Sequence, residues 1–503
     1  MTGTAKEKQN QDSYYPGMLN LVYIVDNTSS MKRFLPLACI FLASTIIAQP
    51  ARKTVEESIE SLQKDIPVWM GNADIPGMQA ILIRNGKQVW LKSYGVANAE
   101  TKVPVDDNTL FEAASLSKVV TAYAALKLVD QGKLDLDIPL NTYLGNNYDI
   151  GNDERIRLIT ARLVLTHSAG FPNWRSEGSP TLPIEFTPGE KFSYSGEGFV
   201  YLSKVMEKLT GMDFETYVQQ SVFGPLGMTS SFFSWQDSFA YRHVYRHNWE
   251  GKKSFRWEGK GYNAAASVHT TATDYGKFIL ALLNGKGLKE KTREEMFTPQ
   301  IRVRTDAYPE LYWGLGVGLE IDNDRKYFWH WGDQGDSKCF MKADLKAKDA
   351  FLYFTNSANG LSIADGMMED ALGGSTPALA WLNYERYNPA AKILWQSILD
   401  KGAKIALQEY KEQRNKGAVQ AIAESSINSM GYLLLRREKL DDAIEVFLQN
   451  TADYPESGNT WDSLAEAYMT RGNKELAIKY YEKSLQLDPG NSNAADQLKK
   501  LRQ

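Results

Sequence analysis

Hydrophobic and polar positions change their period along this chain, and each change predicts a different kind of element. From Gly77 to Ala97 the apolar runs Met78-Gln79-Ala80-Ile81-Leu82-Ile83 and Val89-Trp90-Leu91 flank Arg84-Asn85-Gly86-Lys87. Asn-Gly between two such runs predicts a β-hairpin, because the tight turn needs residues that tolerate positive φ. After Ser115, the positions of Ala124, Leu126, Leu128 and Val129 predict a long packed helix, and residues 120–290 are mostly helical in pattern. Thr271-x-x-Asp274 opens one of these helices in the manner of a capping box. Strand patterns return near 313–320, 326–331 and 350–355. Early and late strands that enclose a helical insertion predict an α/β layer beside an all-helical subdomain, with a cleft between them.

Beyond about residue 385 only the helical period remains. Ile427, Met430, Gly431, Leu434, Ala443, Phe447 and Pro455 superimpose on Trp461, Leu464, Ala465, Tyr468, Ala477, Tyr481 and Pro489 at a spacing of 34 residues. This period and residue pattern resemble tetratricopeptide repeats, in which each helix pair buries one face on the next. The clear repeats are 424–457 and 458–491. About three are needed for stability, so the helical stretch 390–415 and a last helix at 493–502 are expected to complete the stack.

Charge and composition narrow the function. The chain of 503 residues has a formal net charge of −4 and no Lys/Arg-rich stripe, which argues against a nucleic-acid partner. Residues 1–30 are polar and patternless and are expected to be a disordered upstream extension. Met31-Lys32-Arg33, the apolar run Phe34–Ala48 and Gln49-Pro50 make a signal peptide at 31–48, too short to span a bilayer. Cleavage after Ala48 would deliver a periplasmic or secreted protein with no stable membrane span. It would also remove Cys39, leaving Cys339 alone and the fold without a disulfide.

Ser115-Leu116-Ser117-Lys118 is the first candidate for chemistry. Ser-x-x-Lys is common by chance, and Ser29/Lys32 and Ser61/Lys64 share it. Ser115 stands apart because it follows Phe111-Glu112-Ala113-Ala114 and begins a helix, where residues i and i+3 share a face and the positive end favours an anion. The second candidate is Phe192-Ser193-Tyr194-Ser195-Gly196, and the third is His330-Trp331-Gly332-Asp333 at the end of an aromatic strand. His243-x-x-x-His247 has metal-pair spacing but no third ligand nearby, so no metal and no cofactor is expected.

Taken in order, Ser115-x-x-Lys118, Tyr194-Ser195-Gly196 and His330-x-Gly332 resemble the motif set of serine β-lactamases and DD-peptidases, on the class C, D-aminopeptidase and esterase branch. Leu165-Thr166-His167-Ser168-Ala169-Gly170, Pro188-Gly189-Glu190, Pro225-Leu226-Gly227-Met228 and Phe354-Thr355-Asn356-Ser357 add to the likeness, which spans roughly 55–372. It implies a β-lactamase-like antiparallel sheet flanked by helices at 52–375, joined by a linker at 376–389 to an all-α repeat domain at 390–503.

The resemblance also implies roles. Ser115 would be the nucleophile, with Lys118 and Tyr194 sharing the work of base. The backbone N–H groups of Ser115 and Asp333 would form the oxyanion hole. Ser195, Gly196, His330, Trp331 and Gly332 would line the substrate. Two departures matter: Gly196 stands where relatives often carry Asn, and His330 where they often carry a Lys that attracts a β-lactam carboxylate. A small ester or peptide substrate is therefore expected over a β-lactam, and an ionised Asp333 facing the cleft would repel a carboxylate further. The alternatives are a β-lactamase or DD-carboxypeptidase, and an inactive scaffold whose repeats bind a protein or cell-wall partner.

Overall fold

The computed structural model describes residues 52–502 except 146–147, 177–178, 180, 304–306 and 323–324. The expected extension and signal peptide lie outside the described residues. The chain divides after Tyr387 into two compact units.

The first unit is built on an antiparallel sheet of order β2-β1-β10-β9-β8-β7-β6-β5. Its strands are β1 Gly77–Arg84, β2 Lys87–Gly95, β5 Ile301–Arg302, β6 Leu311–Trp313, β7 Gly318–Asp322, β8 Arg325–Asp333, β9 Lys338–Asp344 and β10 Asp349–Thr355. A separate ladder joins β3 Phe111–Ala114 to β4 Val268–Thr270. The β1–β2 turn has Asn85 at φ 51° and Gly86 at φ 70°, the left-handed pair that an Asn-Gly turn supplies.

Alternation along the strands divides the core in two. Ile81, Ile83, Met341, Leu352 and Phe354 point to the helical side, whereas Met78, Ala80, Leu82, Phe340 and Tyr353 point to the other. The second face is covered by α1 (Val55–Asn72) and by helices Ala364–Leu372 and Pro377–Leu382. With both faces covered, the strands read as continuous apolar runs rather than alternating ones. Helix α2 (Ser117–Asp130) is correspondingly buried along nearly its whole length. Thr271 caps helix Ala272–Asn284 by accepting from Asp274 N at 3.1 Å.

The structure revises some expectations. The run 313–320 is not one strand, because Gly314 N donates to Val317 O at 2.9 Å and Gly316 turns at φ 82°, separating β6 from β7. Strand β9 is not predicted by the sequence pattern, because Lys338 and Lys342 interrupt its apolar run. Nor is 376–387 a linker. Ala378 and Leu379 are buried in the first unit's core, because this segment closes the sheet face that α1 leaves open.

The second unit, from Asn388, is a run of helices: Pro389–Lys401, Ala403–Asn415, Glu424–Arg436, Leu440–Asp453, Gly458–Thr470, Lys474–Leu487 and Ser492–Leu501. The repeat positions Ile427, Met430, Leu434, Ala443 and Phe447 are buried, as are Leu464, Ala465, Ala477 and Tyr481. A Cβ on Gly431 would strike the Phe447 ring, so that position must stay small. No helix among the described residues is long and apolar enough to cross a membrane.

Candidate active site

Ser115 lies in the turn between β3 and α2. Strand β3 pairs with β4 across a bulge at Glu112–Ala114, and Ala114 takes φ 45°. A left-handed residue with a Cβ costs about 1–3 kcal/mol and persists only where its surroundings fix it. Here Ser117 Oγ donates to Ala114 O at 2.6 Å and accepts from Val268 N at 2.9 Å, while Tyr275 Oη donates to Leu116 O at 2.9 Å. Gly332 of β8 presses on the same turn. A Cβ there would sit 2.7 Å from Ala113 O and 2.9 Å from Ala114 Cβ.

One helical turn on, the fully buried Lys118 sends Nζ to Ser115 Oγ at 3.1 Å and to Ala265 O at 3.0 Å. Its other neighbours are aromatic faces: the Tyr194 ring at 4.8 Å, Trp174 at 5.6 Å and Phe199 at 6.0 Å. Desolvation lowers the amine to about 7. Burial acts the opposite way on Tyr194 and pushes its phenol above the ordinary range; the adjacent Ser115 hydroxyl offsets this only in part. Tyr194 Oη has no partner of good hydrogen-bond geometry among the described residues.

The second and third motifs differ from their expected roles. Ser195 is buried; its Oγ donates to Pro172 O at 2.8 Å and accepts from Gly198 N at 3.1 Å, so it builds the loop. Gly196 is covered by Trp174, whose ring a Cβ would meet at 2.6 Å, and its N–H donates to Asn173 Oδ1 at 3.0 Å. An Asn at 196 would have no room, and Asn173 and Trp174 occupy the space. His330 is wholly buried, its Nδ1 bound to Trp331 O at 2.7 Å, which leaves the Nε2 lone pair without a partner among the described residues. Burial, then the nearby Lys118, lower it to about 3, so it carries no charge at working pH. The Trp331 ring, 4.6 Å from that of Tyr194, is buried as well. The side chains of His330 and Trp331 thus pack behind Tyr194 and do not line the opening. His167, at φ 55°, accepts from Ser195 N at 3.0 Å and supports the same loop.

Asp333 is the partly exposed end of β8. Gln334 N donates to Ser337 O at 3.0 Å, closing the turn to β9. Alternation of bonded pairs then directs the Asp333 N–H away from Lys338, its partner in register, and β7 ends opposite Trp329. The carboxylate does not confront the opening as a bare charge. Lys338 Nζ and Gly335 N donate to Oδ1, and Tyr384 Oη donates to Oδ2 at 2.6 Å. These donors hold Asp333 below the usual carboxylate range, with Lys338 the leading cause against burial. Asp333 therefore does not present the repulsive charge that the sequence predicts, since Lys338 matches it.

Several contributors were not legible in the sequence. Glu112, three residues before Ser115, is buried and paired bidentately with Arg246, which also donates to Gln334 Oε1 at 3.0 Å. This pair ties the serine turn to the end of β8, and breaking such a pair typically costs about 3–5 kcal/mol. Other candidates fall elsewhere. Ser61 Oγ accepts from Lys53, not Lys64. His243 bonds His269 and Val244 O, while His247 bonds Asn356 O and Ala99 N, so the two do not converge.

Residues 52–368 match the beta-lactamase family, and 458–491 match the tetratricopeptide repeat. Relatives include PbpX of Bacillus subtilis (strain 168), described as a candidate penicillin-binding protein, which is 27% identical over 50% of this chain and 67% of its own length. Esterase EstB of Burkholderia gladioli is 30% identical over 30% of this chain and 45% of its own length. The matched segment thus spans less than half of EstB. Among solved structures, the octameric penicillin-binding protein homologue from Pyrococcus abyssi has TM-score 0.54 at 23% identity, covering 67% of this chain and 81% of that one. D-alanine carboxypeptidase AmpC from Burkholderia cenocepacia has TM-score 0.53 at 20% identity, covering 60% and 95%. At these identities the structures speak for the fold. With its sheet, its motif order and the match over 52–368, this chain belongs to the beta-lactamase family and carries a tetratricopeptide repeat beyond that domain.

Proposed function

We propose that the protein is a serine hydrolase that forms an acyl-enzyme on Ser115 and prefers uncharged esters or amides. The observation that carries this reading is the buried Lys118 amine, 3.1 Å from Ser115 Oγ and lowered to about 7. An amine that is half neutral near pH 7 can take the hydroxyl proton as Oγ bonds to the carbonyl carbon. Tyr194 keeps its proton and serves as donor, not tyrosinate. Negative charge on the carbonyl oxygen is met by the N–H groups of Ser115 and Asp333, each worth about 3–4 kcal/mol in such sites. As the tetrahedral intermediate collapses, the leaving group departs with a proton relayed through Tyr194 from Lys118. Water then attacks the ester carbon with the roles repeated, releasing the acid and regenerating Ser115.

Selectivity follows from charge. His330 is neutral and Lys338 is engaged by Asp333, so neither third-motif position offers a free cation to a substrate carboxylate. On one preparation, kcat/KM for p-nitrophenyl butyrate should exceed that for nitrocefin by at least tenfold, with a D-alanyl anilide as third substrate. Faster turnover of nitrocefin would favour a β-lactamase instead. Mass spectrometry after fluorophosphonate treatment should place the adduct on Ser115.

Gly332→Ala gives a geometric check. The new methyl must displace β8 from the serine turn, and such overpacking costs about 1–3 kcal/mol. The variant should melt lower and lose at least tenfold in ester turnover, measured by thermal unfolding and initial rates.

The signal-like segment 31–48 supports export to the periplasm or beyond. The repeats support a protein-binding role beside the hydrolase unit, with a cell-wall ligand as the other candidate.

A further inference from the structure

Segment 376–387, the last of the first unit, packs beside the second and third motifs. Within helix Pro377–Leu382, Trp381 packs against Trp329, Trp331 and Phe192, with ring centroids 5.8, 5.9 and 6.1 Å apart. Phe192 belongs to the second motif and Trp331 to the third, so one side chain braces both. Three residues on, Tyr384 Oη donates to Asp333 Oδ2 at 2.6 Å, and the Lys338 ammonium lies 5.4 Å from the Tyr384 ring.

Tyr384 thus holds the side chain of Asp333, the residue whose backbone N–H the acyl-enzyme reading places at the oxyanion. Asp333 ends a strand that β7 does not support at that point, so its peptide is fixed from the side-chain end. Gly335 N and Lys338 hold Oδ1 within the hairpin itself. Tyr384 is the donor on Oδ2 that comes from outside the hairpin.

We infer that Tyr384 is a positioning residue, anchoring the Asp333 carboxylate so that its N–H stays aimed at the oxyanion of the Ser115 acyl intermediate. This rests on the acyl-enzyme reading above. It also makes the 376–387 strap part of the hydrolase site, although the family match ends at 368. Oxyanion stabilisation depends on donors fixed before the charge develops, so a loosened N–H weakens the transition state more than the bound substrate.

The test uses the full chain. Tyr384→Phe removes one oxygen and keeps the ring. It should lower kcat for p-nitrophenyl butyrate about tenfold with KM within twofold, and slow fluorophosphonate labelling of Ser115 by a similar factor. In an Asp333→Asn background, where the ionic acceptor is gone, the same change should cost no more than about twofold. A wild-type labelling rate in Tyr384→Phe would overturn the inference. So would an equal loss in the Asp333→Asn background, or a loss confined to KM, since Tyr384 would then act on packing or substrate directly. Should Tyr384→Phe fail to fold, Trp381→Phe, which loosens the strap upstream, should show the same fall in kcat, and unchanged kcat would count against the strap. Absence of any adduct on wild-type Ser115 would instead sink the acyl-enzyme reading.

Discussion

Ser115→Ala is expected to abolish hydrolysis of activated esters, by about a thousandfold or more, while leaving the fold intact. The substitution deletes only the Oγ that would bond to the carbonyl carbon. The side chain is half-buried, and Lys118 keeps its bond to Ala265 O, so thermal stability should stay within about 1 kcal/mol of wild type. Residual turnover would come from binding and the oxyanion donors alone. Retention of more than about a hundredth of wild-type turnover, a barrier change below about 2.7 kcal/mol, would mean that the nucleophile lies elsewhere.

Lys118→Met should separate catalysis from stability. Loss of the base should cost at least a hundredfold in kcat/KM. Wild-type kcat/KM should climb about tenfold per pH unit up to about 7 and then level, since the neutral amine is the working form. In Lys118→Met that inflection should vanish. Stability moves the other way. Folding lowers this amine from 10.5 to about 7, so the unfolded chain binds more protons between those values. Stability therefore rises with pH across that window, and the penalty is fully present below about 7. Replacing the amine with an apolar side chain of similar length should raise stability at pH 6 by about 1–3 kcal/mol, after allowance for the lost bonds to Ser115 and Ala265. Urea unfolding at pH 6 and pH 9 measures both the gain and its decline. A variant no more stable at pH 6 would show that Lys118 is not held in so dry a site.

How much was legible in the sequence depended on distance along the chain. Ser115 and Lys118 lie three residues apart at a helix start, and helix geometry brings the amine to the hydroxyl whatever surrounds them. The Asn85-Gly86 hairpin and the 34-residue repeat are equally local, because each is a backbone preference or a stacking period. Strand β9 is not legible because Lys338 and Lys342 interrupt its apolar run, and their acidic partners, Asp333 and Glu320, come from other strands.

The sequence by itself determined the repeat-bearing second part and the motif order that makes Ser115, Lys118 and Tyr194 the candidates, because the spacing or context of each motif is local. Only the tertiary structure decided what surrounds that triplet. Trp174 fills the place above Gly196, and His330 is buried and neutral. Arg246 reaches Glu112 across 134 residues, and Tyr384, from a segment that reads as a linker, donates to Asp333. The physical reason is that protonation and charge depend on desolvation and on partners from distant segments. A pattern along the chain can name a titratable group, but only packing sets which proton it holds.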